Sequence, residues 1–246
     1  MKKLITIHPA FLSLEPELSR IPENFDSQGE LLYRGRNTIK LFDMDYHILN
    51  VKRYKRPSFC NRIIYTFFRK TKAERAYLNS EEIVRRGFNS PQPVAWLAVR
   101  KGGLITDAFY ISSHEDEYNR NMYEFGQGGT EGREHILTAF ARYTAALHEA
   151  GIFHHDYSPG NILFSLHNGR AEFCLVDTNR MSFGDVSIAR GCSAFAALWG
   201  SADIFEFIAD RYADARKTSA RLCRRLISRR RKIFWRRYAS KHGMPY

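Results

Sequence analysis

The chain has 246 residues, 44% of them hydrophobic, and a formal net charge of +12. This length allows one large domain or two small ones with a genuine core, and the apolar and aromatic content excludes an intrinsically disordered chain. Residues 211–246 contain 13 of the 38 Lys and Arg residues but a single acid, Asp214. The excess of positive charge therefore lies in the C-terminal tail.

Cysteine usage and hydropathy argue against a secreted or membrane-spanning protein. The four cysteines are widely spread without a CxxC pair, so neither a zinc site nor a disulfide framework is expected, and a reducing cytosol is the natural setting. The first seven residues begin like a secretion signal but reach His8-Pro9 before an apolar segment develops. No run approaches the roughly 18 apolar residues of a membrane span.

The first third of the chain predicts loops followed by a small antiparallel sheet. Residues 1–28 contain three prolines and little periodicity, which predicts loops and short turns. Residues 33–42 and 46–54 are typical of strands joined at the turn-prone Asp43-Met44-Asp45. A period of two places Leu49 and Val51 on one face and Lys52 on the other.

A helix is predicted over 71–87, with Thr71 as its cap, Glu74 in its first turn and Gly87 at its end. Residues 57–70 interleave aromatic and basic side chains. This segment is either half-buried packing with a basic rim or a surface for an anionic partner, and the sequence favours neither. Strands follow at 94–99 and 104–112, and a strongly periodic helix over 132–150 ends at Gly151.

Directly after that helix, His154-His155-Asp156-Tyr157-Ser158-Pro159-Gly160-Asn161 matches a catalytic-loop pattern, with Asn five positions after Asp. A second carboxylate, Asp177, follows an apolar pair 16 residues beyond Asn161. Phosphoryl transfer requires these parts, because one carboxylate orients the attacking hydroxyl while an amide and another carboxylate hold the metal ions on the phosphates. The alternative is an ordinary turn made of turn-forming residues.

The same chemistry gives Lys52 a role in holding the nucleotide phosphates, with a carboxylate of the following helix fixing its direction. Glu74 is the predicted partner of Lys52. A solvated strand lysine is the alternative, because several cations surround Lys52 in the sequence.

The tail predicts one or two apolar helices over 195–212 and a basic amphipathic helix over 219–240. Such a helix is typical of binding to an anionic membrane surface or a phosphorylated ligand. A soluble helix docked on the core with its arginines in water is the alternative.

Several motifs together resemble the bacterial lipopolysaccharide kinase family, which phosphorylates 3-deoxy-D-manno-octulosonic acid (Kdo) or heptose of the inner core. The resemblance covers residues 30–240 and is carried by 50–54, 72–77, Gly87 with 91–94, 147–151, 154–163 and 176–180. It implies an α+β, two-lobed protein-kinase-like fold, with a small antiparallel-sheet N-lobe and a shortened, mainly helical C-lobe. The implied division is a preamble at 1–29, an N-lobe at 30–116 and a C-lobe at 117–246.

The resemblance also implies ATP and Mg²⁺ as cofactors and a lipid A–core oligosaccharide as acceptor. Asp156 is the implied base, and Lys52 with Glu74 holds the phosphates. Asn161 and Asp177 are the implied metal ligands, His154 braces the loop, and Arg180 is a further catalytic residue. The implied location is the cytoplasm, peripheral on the inner face of the cytoplasmic membrane through the basic helix, and nucleic acid is not expected as a partner.

Departures from protein kinases favour a small or lipid-borne acceptor. His155 replaces the usual Arg, Asp177-Thr178-Asn179 replaces Asp-Phe-Gly, and no Ala-Pro-Glu segment follows. Two alternatives stay open: a small-molecule kinase acting on an aminoglycoside or a choline-like alcohol, and a non-catalytic scaffold that binds nucleotide or nucleic acid.

Overall fold

The computed structural model describes residues 2–243, which form two compact units. The first unit extends to Glu115 and includes Asp177–Asn179, while the second comprises Asp116–Val176 and the chain from Arg180 onward. Each unit has its own apolar core.

An antiparallel sheet in the order β1-β5-β6-β4-β3-β2 forms the first unit. Its strands are β1 Lys2–Ile7, β2 Glu30–Arg34, β3 Thr38–Met44, β4 His47–Arg53, β5 Pro93–Lys101 and β6 Leu104–Ser113. The helices of this unit are α1 Glu15–Leu18, α2 Ile21–Asn24, α3 Phe59–Phe67 and α4 Lys72–Arg85, and a short 3-10 helix spans Pro9–Leu14. Leu49 and Val51 are fully buried while Lys52 lies on the other face, which confirms the predicted alternation.

The prediction of loops over residues 1–28 was wrong. Strand β1 pairs along its whole length with β5, from Lys2 opposite Arg100 to Ile7 opposite Ala95. Phe11, Leu18 and Phe25 then pack into the sheet core. The pairing joins segments about ninety residues apart, and local periodicity carries no signal for a contact of that range.

The helix predicted after the lysine strand is confirmed as α4. Thr71 caps it, because its Oγ1 accepts a hydrogen bond from the Glu74 backbone N–H at 3.0 Å. Gly87, with φ of +82°, follows its end. The buried face of α4 packs on β5 and β6 and carries Ala73, Ala76, Tyr77, Ser80 and Ile83.

The second unit is mainly helical. Its helices are α5 Glu134–Glu149, α6 Ile188–Ala194, α7 Ala202–Ala215 and α8 Ala220–His242. Its short strands are β7 Arg120–Asn121, β8 Ile152–His154, β9 Ile162–His167, β10 Arg170–Leu175 and β11 Met181–Phe183. Aromatic rings dominate the core, where Phe140, Phe195 and Tyr212 are fully buried.

The predicted basic tail helix is confirmed as α8. Its apolar side packs within the second unit. Cys223, Ile227 and Ala239 are buried in the packing of α8 on α6 and α7. Within residues 2–243, no helix is both long enough and apolar enough to cross a bilayer.

Candidate active site

Lys52 forms an ion pair within the first unit. Its Nζ lies 2.7 Å from Oδ1 of Asp177, and the two side chains are 12% and 29% exposed. The same Nζ lies 5.3 Å from the centre of the Tyr54 ring. Burial, followed by the negative charge of Asp177, raises the pKa of the Tyr54 hydroxyl well above its usual value, so Tyr54 stays neutral beside this pair.

The predicted partnership of Lys52 with Glu74 is not what the structure shows. Among the described residues, the ion pair of Lys52 is with Asp177. Glu74 lies beside the buried face of α4. The nearest residues on that face are Ala73 and Ala76. Since alanine has no carboxylate, the buried face of the helix offers Lys52 no partner, and the carboxylate comes from the segment Asp177–Asn179.

Helix α4 instead anchors that segment through Thr178. The Thr178 hydroxyl donates to the backbone oxygen of Ala76 at 3.0 Å and lies 2.9 Å from the Ser80 hydroxyl. Asn79 Nδ2 donates to the Thr178 backbone oxygen at 2.6 Å. Sequence reasoning missed Asn79 and Ser80, although a serine on the apolar stripe of α4 was a usable signal, because a buried hydroxyl needs a partner.

Asp177 is fixed in its backbone as well as its side chain. Its φ of 54° lies in the left-handed region, which Asp tolerates better than most residues. Asn179 Nδ2 donates to Asp177 Oδ1. Together with Lys52, this bond orients the carboxylate.

In the second unit, the catalytic loop is braced by His154. The Asp156 backbone N–H donates to His154 Nδ1 at 3.0 Å. Because Nδ1 is the acceptor there, the proton of a neutral His154 is on Nε2, which donates to the Val176 backbone oxygen at 3.2 Å. His154 is 4% exposed.

Asn161 closes the loop from its other end. Its Nδ2 donates to the Asp156 backbone oxygen at 2.8 Å, so the amide nitrogen is occupied within the loop. The backbone oxygen of Asn161 accepts a bond of 3.1 Å from the N–H of Val176, the residue before Asp177.

The Asp156 carboxylate faces solvent beside Arg180. Arg180 Nη1 lies 3.4 Å from Asp156 Oδ2, and the side chains are 62% and 40% exposed. Such exposure screens the pair, so its role is positioning more than stability. Burial, then the charges of Arg190 and Arg180, lowers the pKa of His155, and His155 is neutral at pH 7.

The structure thus brings Lys52 to Asp177 in one unit, and Asp156 to Asn161 and Arg180 in the other. The donor set suits Mg²⁺, which prefers oxygen ligands and is held by few carboxylates together with substrate phosphates. Among residues 2–243, no cluster of three or more His, Cys, Asp or Glu side chains forms a metal cage of protein ligands alone. The meeting of Asp156, Asn161 and Asp177 around metal ions stays a prediction.

A comparison with solved structures identifies the class of this fold. The chain is similar to a solved structure described as "WaaP in complex with acyl carrier protein", with a TM-score of 0.66, 14% identity, and coverage of 95% of this chain and 98% of that one. No curated protein matches the chain by sequence. The α+β fold, with an antiparallel sheet followed by a largely helical region, is kinase-like, as expected.

Residues 23–184 match the lipopolysaccharide kinase (Kdo/WaaP) family. The chain belongs to this family, as its motifs predicted. Membership implies a kinase that uses ATP and phosphorylates a sugar of the lipopolysaccharide core.

Proposed function

We propose that the protein transfers the γ-phosphate of ATP to a hydroxyl of Kdo or heptose in the lipopolysaccharide inner core, in the cytoplasm at the inner face of the membrane. The observation that carries the proposal is the fixation of Asp156. Its backbone N–H and backbone oxygen are bound by His154 and Asn161, while its carboxylate stays 40% exposed beside Arg180.

Each residue has a defined task in this proposal. Asp156 orients the acceptor hydroxyl and accepts its proton, and Arg180 holds the Asp156 carboxylate in place. Lys52 binds the phosphates, and Asn161 and Asp177 hold Mg²⁺. Bound Mg²⁺ neutralises phosphate charge during the transfer. Glu74 has no task, because Asp177 takes its place at Lys52.

The experiment is transfer of labelled phosphate from ATP to a Kdo-bearing lipid A precursor. Wild-type protein should label the lipid, and Asp156→Asn should lose most of the rate, about 100-fold or more. Asp185→Asn, an exposed acid of the same unit, is the matched control. Equal rates for Asp156→Asn and wild type would remove Asp156 from the mechanism.

The membrane is the proposed site of action because α8 presents a dense row of cations. Arg221, Arg225, Arg229, Arg230, Lys232, Arg237 and Lys241 are exposed. Each cation near an anionic leaflet contributes about 1 kcal/mol. Truncation is a poor test, because it would also remove the buried Cys223 and Ile227.

Charge neutralisation tests membrane binding without removing core residues. Arg225→Gln/Arg229→Gln should lower binding to vesicles containing phosphatidylglycerol about 30-fold. The control is Lys101→Gln, an exposed lysine at the end of β5 in the other unit. The similar WaaP structure contains acyl carrier protein; a loss of binding to an acidic carrier protein, with vesicle binding unchanged, would assign α8 to such a partner instead.

A further inference from the structure

A cavity of about 440 Å³ lies in the second unit at the catalytic loop. It is lined by His155, Asp156 and Ser158 of the loop, and also by Trp199 and the aromatic residues of α8. The proposed function assigns no role to these aromatic residues. Their position matters because Asp156 belongs to the same cavity.

A continuous series of aromatic rings lines this cavity. The Tyr123 and Trp199 ring centres are 5.4 Å apart at 90°, those of Trp199 and Trp235 are 6.1 Å apart at 72°, and those of Trp235 and Tyr238 are 5.3 Å apart at 66°. Tyr123 and Trp199 are 50% and 47% exposed. We call these four residues the aromatic wall.

The aromatic wall is held rigidly against the catalytic loop. Arg231 of α8 donates to the backbone oxygens of Leu198 and Gly200 on either side of Trp199. Tyr123 packs so closely on Gly160 that a Cβ there would lie 3.1 Å from its ring. Exposed tryptophan fixed in this way is a preformed platform and not a mobile surface residue.

The wall also carries a polar group that the protein leaves unused. The indole N–H of Trp235 is buried and has no hydrogen-bond partner among residues 2–243. Buried donors without acceptors are rare in folded proteins. Since the nitrogen has almost no accessible surface, the N–H is a local deficit of hydrogen bonding in the wall and not a contact for a ligand.

Positive charge lies behind the catalytic-loop side of the cavity, on arginines that do not themselves line it. The Arg190 guanidinium is 4.5 Å from the centre of the Phe153 ring and donates to Ser182, which also contacts His155 Nε2 at 3.1 Å. Phe153 and His155 line the cavity. Arg190 and Arg180 both lower the pKa of His155, so this side is electropositive.

We propose that this cavity is the acceptor subsite, in which the aromatic wall packs against the sugar ring and the positive charge of Arg190, behind Phe153 and His155, favours an acidic sugar. The proposal rests on the proposed function. Sugar C–H groups are weakly positive and pack on the negative faces of aromatic rings. A choline-like cation would also find aromatic faces, but Arg190 and Arg180 repel it.

The test measures KM for the Kdo-bearing lipid A precursor and, separately, KM for ATP. Trp199→Ala should raise the acceptor KM about tenfold, with little change in the KM for ATP, and Trp199→Phe should restore most of the loss. Arg190→Gln should raise the acceptor KM less, about threefold, because its charge acts on the cavity from behind Phe153 and His155. Phe207→Ala, a half-buried aromatic of α7 outside the cavity, is the matched control.

A binding measurement separates failure of the subsite from failure of the proposed function. Free Kdo should quench indole emission in wild type, with weaker affinity in Trp199→Ala. An active wild type with unchanged acceptor KM in Trp199→Ala overturns the subsite and leaves the kinase assignment intact. A wild type that binds Kdo at Trp199 without transferring phosphate overturns the function and keeps the subsite.

A second inference comes from α3, which the function does not use. Helix α3 has no buried residue, and Phe59, Phe67 and Phe68 are 66%, 67% and 81% exposed. Between Asp45 and Glu74 the sequence contains no acid, and Arg62, Arg69 and Lys70 lie close to these phenylalanines in the sequence. Exposed apolar side chains bordered by cations are typical of helices that lie in a membrane interface.

We infer that this surface of α3 inserts into an anionic membrane, with the phenylalanines entering the interface and the cations meeting lipid phosphates. Phe67→Ser/Phe68→Ser should reduce binding to phosphatidylcholine vesicles containing 30% phosphatidylglycerol by about tenfold or more. Tyr46→Ser, a fully exposed aromatic of the same unit, should bind as wild type. Unchanged vesicle binding by the double variant overturns the inference. A double variant that binds vesicles normally but loses binding to an acidic protein also overturns it.

Discussion

Lys52 is held by Asp177, the carboxylate proposed to bind metal, with 2.7 Å between Nζ and Oδ1. Asp177 therefore has two partners, Lys52 in this structure and the proposed metal ion in the complex with nucleotide. In the proposed function, the nucleotide phosphates would take Lys52 as their partner and Asp177 would hold the accompanying metal ion. The pair keeps both charges compensated in a partly buried position until then, since an unpaired charge there would be costly.

Removing the lysine should affect nucleotide use most. We expect Lys52→Met to lower kcat/KM for ATP about 100-fold, because a cation aimed at the phosphates is lost. Steady-state kinetics with varied ATP measures this, with Lys101→Met as an exposed control. A near-normal rate would show that Lys52 only neutralises Asp177.

Glu74 should be dispensable for catalysis. Because Asp177 orients Lys52, Glu74→Gln should change kcat/KM for ATP by less than about threefold, whereas Asp177→Asn should lose about 100-fold or more. The same assay measures both variants. A large loss in Glu74→Gln would mean that Lys52 exchanges Asp177 for Glu74 during turnover.

The anchor at Thr178 should stabilise the fold and the site together. Thr178→Val keeps the side-chain shape but removes the hydroxyl that donates to Ala76 and contacts Ser80. We expect the free energy of unfolding to fall by about 1–3 kcal/mol, because buried polar partners lose a bond. Urea denaturation measures this, and Thr38→Val, at a partly exposed threonine, is the control. An unchanged urea midpoint in Thr178→Val would contradict the stabilising role of the Thr178 hydroxyl.

His148 should make stability depend on pH. Burial, then the charges of Arg216 and Arg190, lowers its pKa to about 3, and its Nδ1 lies 2.9 Å from the Tyr212 hydroxyl. The usual pKa is about 6.5, so the unfolded chain binds a proton between these values that the folded chain does not. Stability should therefore fall as pH drops from about 6.5 toward 3, and this group adds no dependence above that window.

Denaturation series at several pH values test this in wild type and His148→Gln, which has no titrating ring. The variant should show a shallower loss of stability between pH 6.5 and 4. If the free energy of unfolding falls equally steeply with pH in both proteins, His148 does not cause the loss of stability in acid.

Gly191 should not tolerate alanine, although α6 is a helix. A Cβ there would lie 2.0 Å from the Tyr212 hydroxyl and 2.9 Å from His148 Nδ1. Overpacking of about 1–3 kcal/mol should exceed the helix-propensity gain of about 1 kcal/mol. Thermal denaturation measures the net effect, and the exposed Ala189→Gly calibrates propensity in the same helix; a stabilised Gly191→Ala would contradict the packing.

Contiguous motifs were predictable, and contacts between distant segments were not. The loop from His154 to Asn161 carries its geometry in eight residues, and Lys52 follows from strand alternation. The family and the kinase-like fold followed from such motifs. The partner of Lys52 depends on whether α4 or the segment at Asp177 reaches it, and only tertiary packing decides that.

The same limit explains the remaining differences. Strand β1 belongs to the sheet through a partner about ninety residues away. Helix α3 packs on β6 without burying any residue fully, so the sequence could not decide between packing and an exposed surface there. The position of Trp199 and Trp235 at the cavity was equally unpredictable, since aromatic residues at helical spacing predict core packing.

Helix α8 combines cations on its outer side with Trp235 and Tyr238 at the cavity. On the proposed acceptor subsite, exchanging residues 220–242 between two relatives would transfer acceptor preference together with surface charge. Selection on acceptor preference would therefore also change the surface charge, and the reverse.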